Sequence, residues 1–165
     1  MSAVIDIRDV PTLLGRNQRL IGLDLGTKTI GLALSDAERS IATPFHTVRR
    51  TKFTRDVEEM RAVVQKHAVV ALVIGLPLNM DGSEGPRAQS TRAFVRQAHP
   101  LIGLPFVFWD ERLSTAAVTR TLIEQDASRA KRAAFVDRMA AAYILQGALD
   151  RLAFLERDAR RGAAT

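Results

Sequence analysis

Three carboxylates in this sequence stand where a carboxylate is costly. Asp24 lies inside the apolar run Ile21-Gly22-Leu23-Asp24-Leu25, and an aspartate in a core strand loses hydration unless it is paired or holds a metal. Glu111 comes just after the apolar stretch Phe106-Val107-Phe108-Trp109 and Asp110. Ligands of open parallel sheets gather at the carboxyl ends of strands, and strand alternation sends Asp110 and Glu111 to opposite sides. Asp137 heads the set 137, 140, 141, 144, 145, 148 and 152, which reads Asp, Ala, Ala, Ile, Leu, Ala, Leu. That spacing marks one buried face of a helix, with Asp137 near its positive end. Each also has a plainer reading. Asp24 could cap the Gly26–Thr29 turn, Glu111 could pair with Arg112 at the surface, and Asp137 could be an acid that the helix dipole tolerates.

Brought together, three carboxylates repel unless cations neutralise them. The chain has no cysteine, and its three histidines (His46, His67, His99) share no spacing. Hard oxygen ligands of this kind select Mg²⁺ or Mn²⁺ over Zn²⁺. Two such ions about 4 Å apart can align water for in-line attack on a phosphodiester. The cations complete the pattern: Arg39, Arg49, Arg50, Lys52 and Arg55 fall in a stretch without acids, as do Arg87, Arg92 and Arg96. Arg129, Lys131 and Arg132 precede the helix of Asp137. Basic stretches around a carboxylate site suit a nucleic-acid backbone, although arginines on helices also serve as a solvated face.

The elements that must position these residues follow from patterning. Residues 1–18 lack periodicity and read as an extension. Residues 20–35 read as two strands around the turn Gly26-Thr27-Lys28-Thr29, where Gly26 can supply a positive φ. A third strand is expected near Ile41–Val48, then a helix from Thr54 to about His67 with Val57, Met60, Val63 and Val64 on one face. Val69–Ile74, apolar throughout, reads as a central parallel strand. A loop dense in turn formers runs from Leu76 to Pro86, and a helix from Arg87 to Ala98 ends at His99-Pro100. Strand 106–109, a helix from Ser114 to about Gln125, a polar connection over 126–132 and a last helix from about Ala133 to Arg157 complete the chain. Strand–helix alternation implies right-handed parallel crossovers. The predicted class is an α/β fold, a mixed sheet with antiparallel strands first and parallel strands after, flanked by helices.

Composition bounds the rest. The 165 residues suggest one domain, and 47% hydrophobic residues exclude a disordered tail. Zero cysteine excludes disulfides, thiolate zinc sites and cysteine nucleophiles. No run of about 18 apolar residues predicts a membrane span, and the N-terminus lacks the apolar core of a secretory signal. A cytoplasmic protein is the expectation. The net charge is +6, from 20 Arg and 4 Lys against 18 acids. That balance fits a polyanion partner, or only the composition of the source genome.

Four ordered strings resemble the YqgF/RuvX family: Ile21 to Lys28 with Ile30 to Asp36; Val73 to Ser83; Asp110-Glu111-Arg112-Leu113-Ser114-Thr115; and Val136-Asp137 with Ala140-Ala141. They span about Arg19 to Leu149. The resemblance implies a ribonuclease H-like fold over 19–150, with the extension 1–18 before it and a helix end and basic tail over 151–165 after it. It also implies a metal-dependent nuclease that matures the 5′ end of pre-16S rRNA. Asp24, Glu111 and Asp137 would then be the catalytic, metal-binding carboxylates for Mg²⁺ or Mn²⁺. Lys28, Arg87, Arg112, Lys131 and Arg132 would face the nucleic acid. RNA, in a pre-ribosomal particle, would be the partner of a monomer or weak homodimer. Fold kinship leaves branched DNA as an alternative substrate, and a non-catalytic RNA-binding assembly factor as a third reading. An actin-like ATPase, suggested by Asp-Leu-Gly-Thr-Lys, needs two domains, and the length supplies one.

Overall fold

A five-stranded sheet in the order β3-β2-β1-β4-β5 organises the molecule. The structure, a computed structural model, describes residues 2–113 and 129–163, with the side chains of 129–134 outside that description. The strands are β1 (Arg19–Leu25), β2 (Thr29–Ser35), β3 (Ala42–Arg49), β4 (Val69–Leu76) and β5 (Phe106–Asp110). The first three pair antiparallel, and β4 and β5 join β1 in parallel. This is the mixed sheet, antiparallel first and parallel after, expected from the order of hairpin and crossovers. β1 and β4 are central, which is why both are apolar on both faces.

Helices α1 (Phe53–Lys66) and α2 (Pro86–Ile102) cover one face. Val57, Met60 and Val64 of α1 and Phe94, Val95 and Ala98 of α2 pack there on Ile21, Leu23, Leu72 and Ile74. The third helix, α3 (Arg129–Ala163), covers the other face. Ala140, Ala141, Ile144, Leu145 and Ala148 of α3 pack on Leu20, Ala33, Val73 and Trp109. At 35 residues it is about 50 Å long, so its last turns project past the sheet. Among the described residues no helix is long and apolar enough to cross a membrane.

Several sequence expectations shift. Gly26 does not have a positive φ; among the described glycines only Gly82 and Gly103 do. Helix α2 does not stop at His99-Pro100 but continues to Ile102 and ends at Gly103, φ 77°. Ile102 is buried in the α2 core, and that burial holds the last turn on the sheet despite the proline. The last helix begins at Arg129, inside the expected connection, and runs past Arg157 to Ala163, helped by an i,i+4 pair of Glu156 with Arg160. The helix expected over Ser114–Gln125 lies outside the described residues. Residues 2–18, within the stretch read as an extension, fold back onto the sheet. The Ile5 N–H donates to the Phe106 carbonyl at 2.9 Å, and the Phe106 N–H donates to the Ala3 carbonyl at 2.8 Å. A 3₁₀ helix over Ile7–Leu13 then seats Val10 in the α3 core.

Candidate active site

The site is built around Asp24, and glycines build it. In β1 the even positions face α3. At Gly22 a Cβ would lie 2.6 Å from the Ala141 carbonyl oxygen and 2.7 Å from the Leu145 Cβ. Alternation puts Asp24, two residues on, on that same face. Across the antiparallel pair its partner is Gly31, where a Cβ would lie 2.0 Å from the Asp137 carbonyl oxygen. The backbone of α3 therefore rests on a bare strand. On the other side, the parallel pair Leu23↔Ile74 brings Gly75 beside Asp24 at the next position. A Cβ on Gly75 would lie 2.6 Å from Glu111 Oε1 and 2.6 Å from Ile144 Cδ1. Two glycines thus flank Asp24; Asp137 covers one and the Glu111 carboxylate lies over the other. With strands spaced about 5 Å apart, the three carboxylates arise from a patch of sheet roughly 10 Å wide. All three are buried: Asp24 is 2%, Glu111 6% and Asp137 9% exposed.

Each carboxylate is held by a different device. The hydroxyl of Thr29 donates to Asp137 Oδ2, and a Cβ at Gly26 would come within 3.0 Å of the same oxygen. The Gly26 N–H donates to the Thr29 carbonyl at 2.9 Å and closes the turn. Glu111 opens a one-turn 3₁₀ helix, Glu111–Leu113, directly after β5. There Arg112 does not pair with Glu111. Its guanidinium binds both oxygens of Asp110, the shortest contact being 2.7 Å, and donates to the Met80 carbonyl at 3.1 Å. Hydrogen bonding from Arg112 holds the Asp110 carboxyl below the usual aspartate range and raises the guanidinium in turn. The β4–α2 loop is tied within itself as well. Asp81 accepts from the Ser83 hydroxyl and N–H, which lowers its pKa, and the Asn79 N–H donates to the Ser83 carbonyl.

Of the expected nucleic-acid contacts, Lys28 is exposed in the turn beside the site and Arg87 is exposed in the first turn of α2. Arg112, expected to neutralise phosphate, has its charge taken up by Asp110. Lys131 and Arg132 fall in the first turn of α3, and their side chains lie outside the described residues. No histidine joins the site: His46 binds Glu59, His99 binds the Leu104 carbonyl, and His67 packs edge-on against Phe45. Two residues that patterning did not assign to the site touch it. Thr29 holds Asp137, and Arg50 donates from Nη1 to the Gly26 carbonyl at 2.7 Å. Glycines within strands mark close backbone approach, and Gly31 and Gly75 were the sequence signal for where α3 and Glu111 would settle.

The donor set suits a hard cation. Three buried carboxylates on one face, with no sulfur or imidazole beside them among the described residues, match Mg²⁺ or Mn²⁺. Among the described residues, no three His, Asp or Glu side chains already stand gathered as a metal-binding group.

A mixed 3-2-1-4-5 sheet with helices on both faces and three buried carboxylates beside its central strand makes this an α/β protein with an acidic candidate site. A sequence model of the family described as "RuvX: Holliday junction resolvase" matches residues 18–151, and the chain belongs to that family. A protein of Methylocella silvestris named "Putative pre-16S rRNA nuclease" is 63% identical over 156 residues, covering 94% of this chain and 97% of the relative. One of the same name from Beijerinckia indica subsp. indica is 65% identical over 156 residues, covering 94% of each. Among solved structures, Thermus thermophilus RuvC in complex with a Holliday junction substrate aligns with a TM-score of 0.47 at 15% identity, over 82% of this chain and 96% of that one.

Proposed function

We propose that this protein is a divalent-metal-dependent nuclease that hydrolyses phosphodiester bonds of RNA in the cytoplasm, maturing the 5′ end of the pre-16S rRNA. The observation that carries the reading is the placement of Asp24 between two bare glycines, one covered by Asp137 and the other by the Glu111 carboxylate. The names of the close relatives supply the substrate.

In this reading Asp24, Glu111 and Asp137 hold Mg²⁺ or Mn²⁺. The bound ions supply an acidified water and charge stabilisation at the leaving oxygen. Everything else belongs to the chain. Burial raises the effective strength of each carboxylate–cation contact by lowering the local dielectric. The Gly26–Thr29 turn aims Asp137, and the Asp110–Arg112 pair fixes the turn that carries Glu111. Lys28 and Arg87 offer unneutralised charge to phosphates entering from the turn and from α2.

Purified protein should cleave a pre-16S rRNA 5′ fragment with Mn²⁺ or Mg²⁺, and Asp24→Asn should abolish cleavage. Equal activity of that variant, in a preparation free of contaminating nuclease, would falsify the mechanism. Four-way junction DNA assayed beside the RNA separates the substrates: faster cleavage of the junction moves the assignment to branched DNA. RNA binding that survives Asp24→Asn, with no cleavage by either form, identifies a non-catalytic assembly factor.

A further inference from the structure

The cations flanking the sheet are not equivalent. Arg112 is neutralised by Asp110. Arg92 is paired with Glu84 and stacked on Phe108. Arg39 is anchored on the carbonyls of Gly15, Gln18 and Ala37, at the opposite end of β1. Arg50 differs from all three. Its backbone N–H donates to the Lys28 carbonyl at 2.9 Å, and its Nη1 donates to the Gly26 carbonyl at 2.7 Å. Both anchors are neutral, and among the described residues no carboxylate pairs with it. A carbonyl fixes the direction of a guanidinium without cancelling its charge, and four of its five N–H donors remain for another partner.

The anchor also sets the location. Gly26 is the residue whose missing Cβ leaves room for Asp137 Oδ2, at 3.0 Å. The guanidinium is thus tied to the same turn that aims a site carboxylate. Lys28 within the turn is exposed beside it, as is Arg49 at the end of β3, in a stretch that carries no acid from Arg39 to Arg55. An aimed, unneutralised fork matches the oxygens of a phosphodiester.

We propose that Arg50 binds a backbone phosphate of the nucleic-acid strand on the β3 side of the site, as a positioning residue that sets the strand's register over the carboxylates. The inference rests on the nuclease reading and singles out one cation from a basic stretch that the sequence pattern offered only as a group. It explains why a fixed cation is tied to the turn that holds Asp137, with no acid paired to it among the described residues.

The test uses the full-length Asp24→Asn protein, so that binding is read without cleavage, and a fluorescein-labelled single-stranded RNA as probe. Affinity is measured by anisotropy across a salt series for this parent and for the same protein carrying Arg50→Gln or Arg50→Lys. One lost phosphate contact lowers the slope of log K against log salt by about 0.7. The Gln variant should therefore give up about 2.5-fold less affinity than the parent between about 50 and 200 mM salt. Arg50→Lys, which keeps the charge, should retain the parent slope. Arg160→Gln, remote on α3 and paired with Glu156, should also leave it unchanged. A parent slope in Arg50→Gln overturns the phosphate contact and leaves the nuclease reading standing. Equal slope losses in Gln and Lys, with lowered melting temperatures in both, would show that Arg50 acts only by bracing the turn, which also overturns it. Absence of RNA binding by the parent at low salt removes the RNA reading, and the Arg50 assignment with it.

Discussion

Replacing Gly31 with alanine tests the central geometry. A Cβ at this position would lie 2.0 Å from the Asp137 carbonyl oxygen, 2.2 Å from its carbonyl carbon and 2.7 Å from the Arg138 nitrogen. Ordinary contact begins near 3.5 Å, so something must yield by about 1.5 Å. Strand β2 cannot, because β1 and β3 hold it on both sides. The obstacle is helix backbone and has no rotamer to change. The N-terminal part of α3 must therefore lift from the sheet and carry Asp137 away from Thr29 and Asp24. Overpacking of this kind costs about 1–3 kcal/mol, and a backbone obstacle places it near 3. For a domain of this size that is a fall of roughly 6–12 °C in melting temperature. A displacement of about 1 Å at a reacting centre can cost about 10²-fold in rate. Thermal unfolding followed by circular dichroism reads the first effect, and single-turnover RNA cleavage reads the second. Gly162→Ala is the control, since a Cβ there meets no atom within 4 Å. A Gly31→Ala protein melting within about 2 °C of the parent, the range of surface substitutions, would refute the close approach of α3.

Two further substitutions probe the parts separately. Thr29→Val removes the hydroxyl that donates to Asp137 while keeping the side-chain shape, and should lower stability by about 1–2 kcal/mol; Thr29→Ser should restore it. Urea unfolding measures both, and a Val variant as stable as the Ser variant would show that the hydrogen bond contributes nothing. At the β2–β3 turn, Asp36 accepts the N–H groups of Ile41 at 2.9 Å and Ser40 at 2.7 Å, and these bonds, Ile41 first, hold its carboxyl below the usual range. A depressed folded-state pKa gives stability that is full above the unfolded value of about 3.9 and lost as pH falls through the folded one. Asp36→Asn should therefore be less stable than the parent at pH 7, by about 1 kcal/mol. The gap should close as pH drops below about 4. A gap that stays constant into acid would contradict the assignment.

The sheet was legible because its information is local. β1, β4 and β5 are short apolar runs with turn formers at their ends, and their order with the intervening helices leaves few topologies. The three carboxylates stood out for a related reason: Asp24 and Asp137 each break a local hydrophobic pattern, and Glu111 follows the end of an apolar strand. What escaped was the role of residues whose meaning is tertiary. Thr29 and Arg50 look like an ordinary strand residue and one arginine among several until the turn and β3 are set side by side. Adjacency in sequence offered Arg112 as a surface partner of Glu111, whereas the 3₁₀ turn swings the guanidinium onto Asp110 and the Met80 carbonyl. Pro100 misled because propensity is a weak prior where a buried residue such as Ile102 lies beyond it.

The three carboxylates differ in how firmly they are placed, and that difference bears on how the site works. Asp24 is fixed by a central strand bonded on both sides. Asp137 is fixed by backbone contact at Gly31, reinforced from Thr29, so its position depends on α3 as a rigid body. Glu111 sits on a single 3₁₀ turn whose hold comes from the Asp110–Arg112 pair and, through Met80, from the β4–α2 loop. Strand and helix thus set two corners of the site by covalent and backbone constraint. The third corner rests on a short turn braced by side-chain bonds to its neighbours.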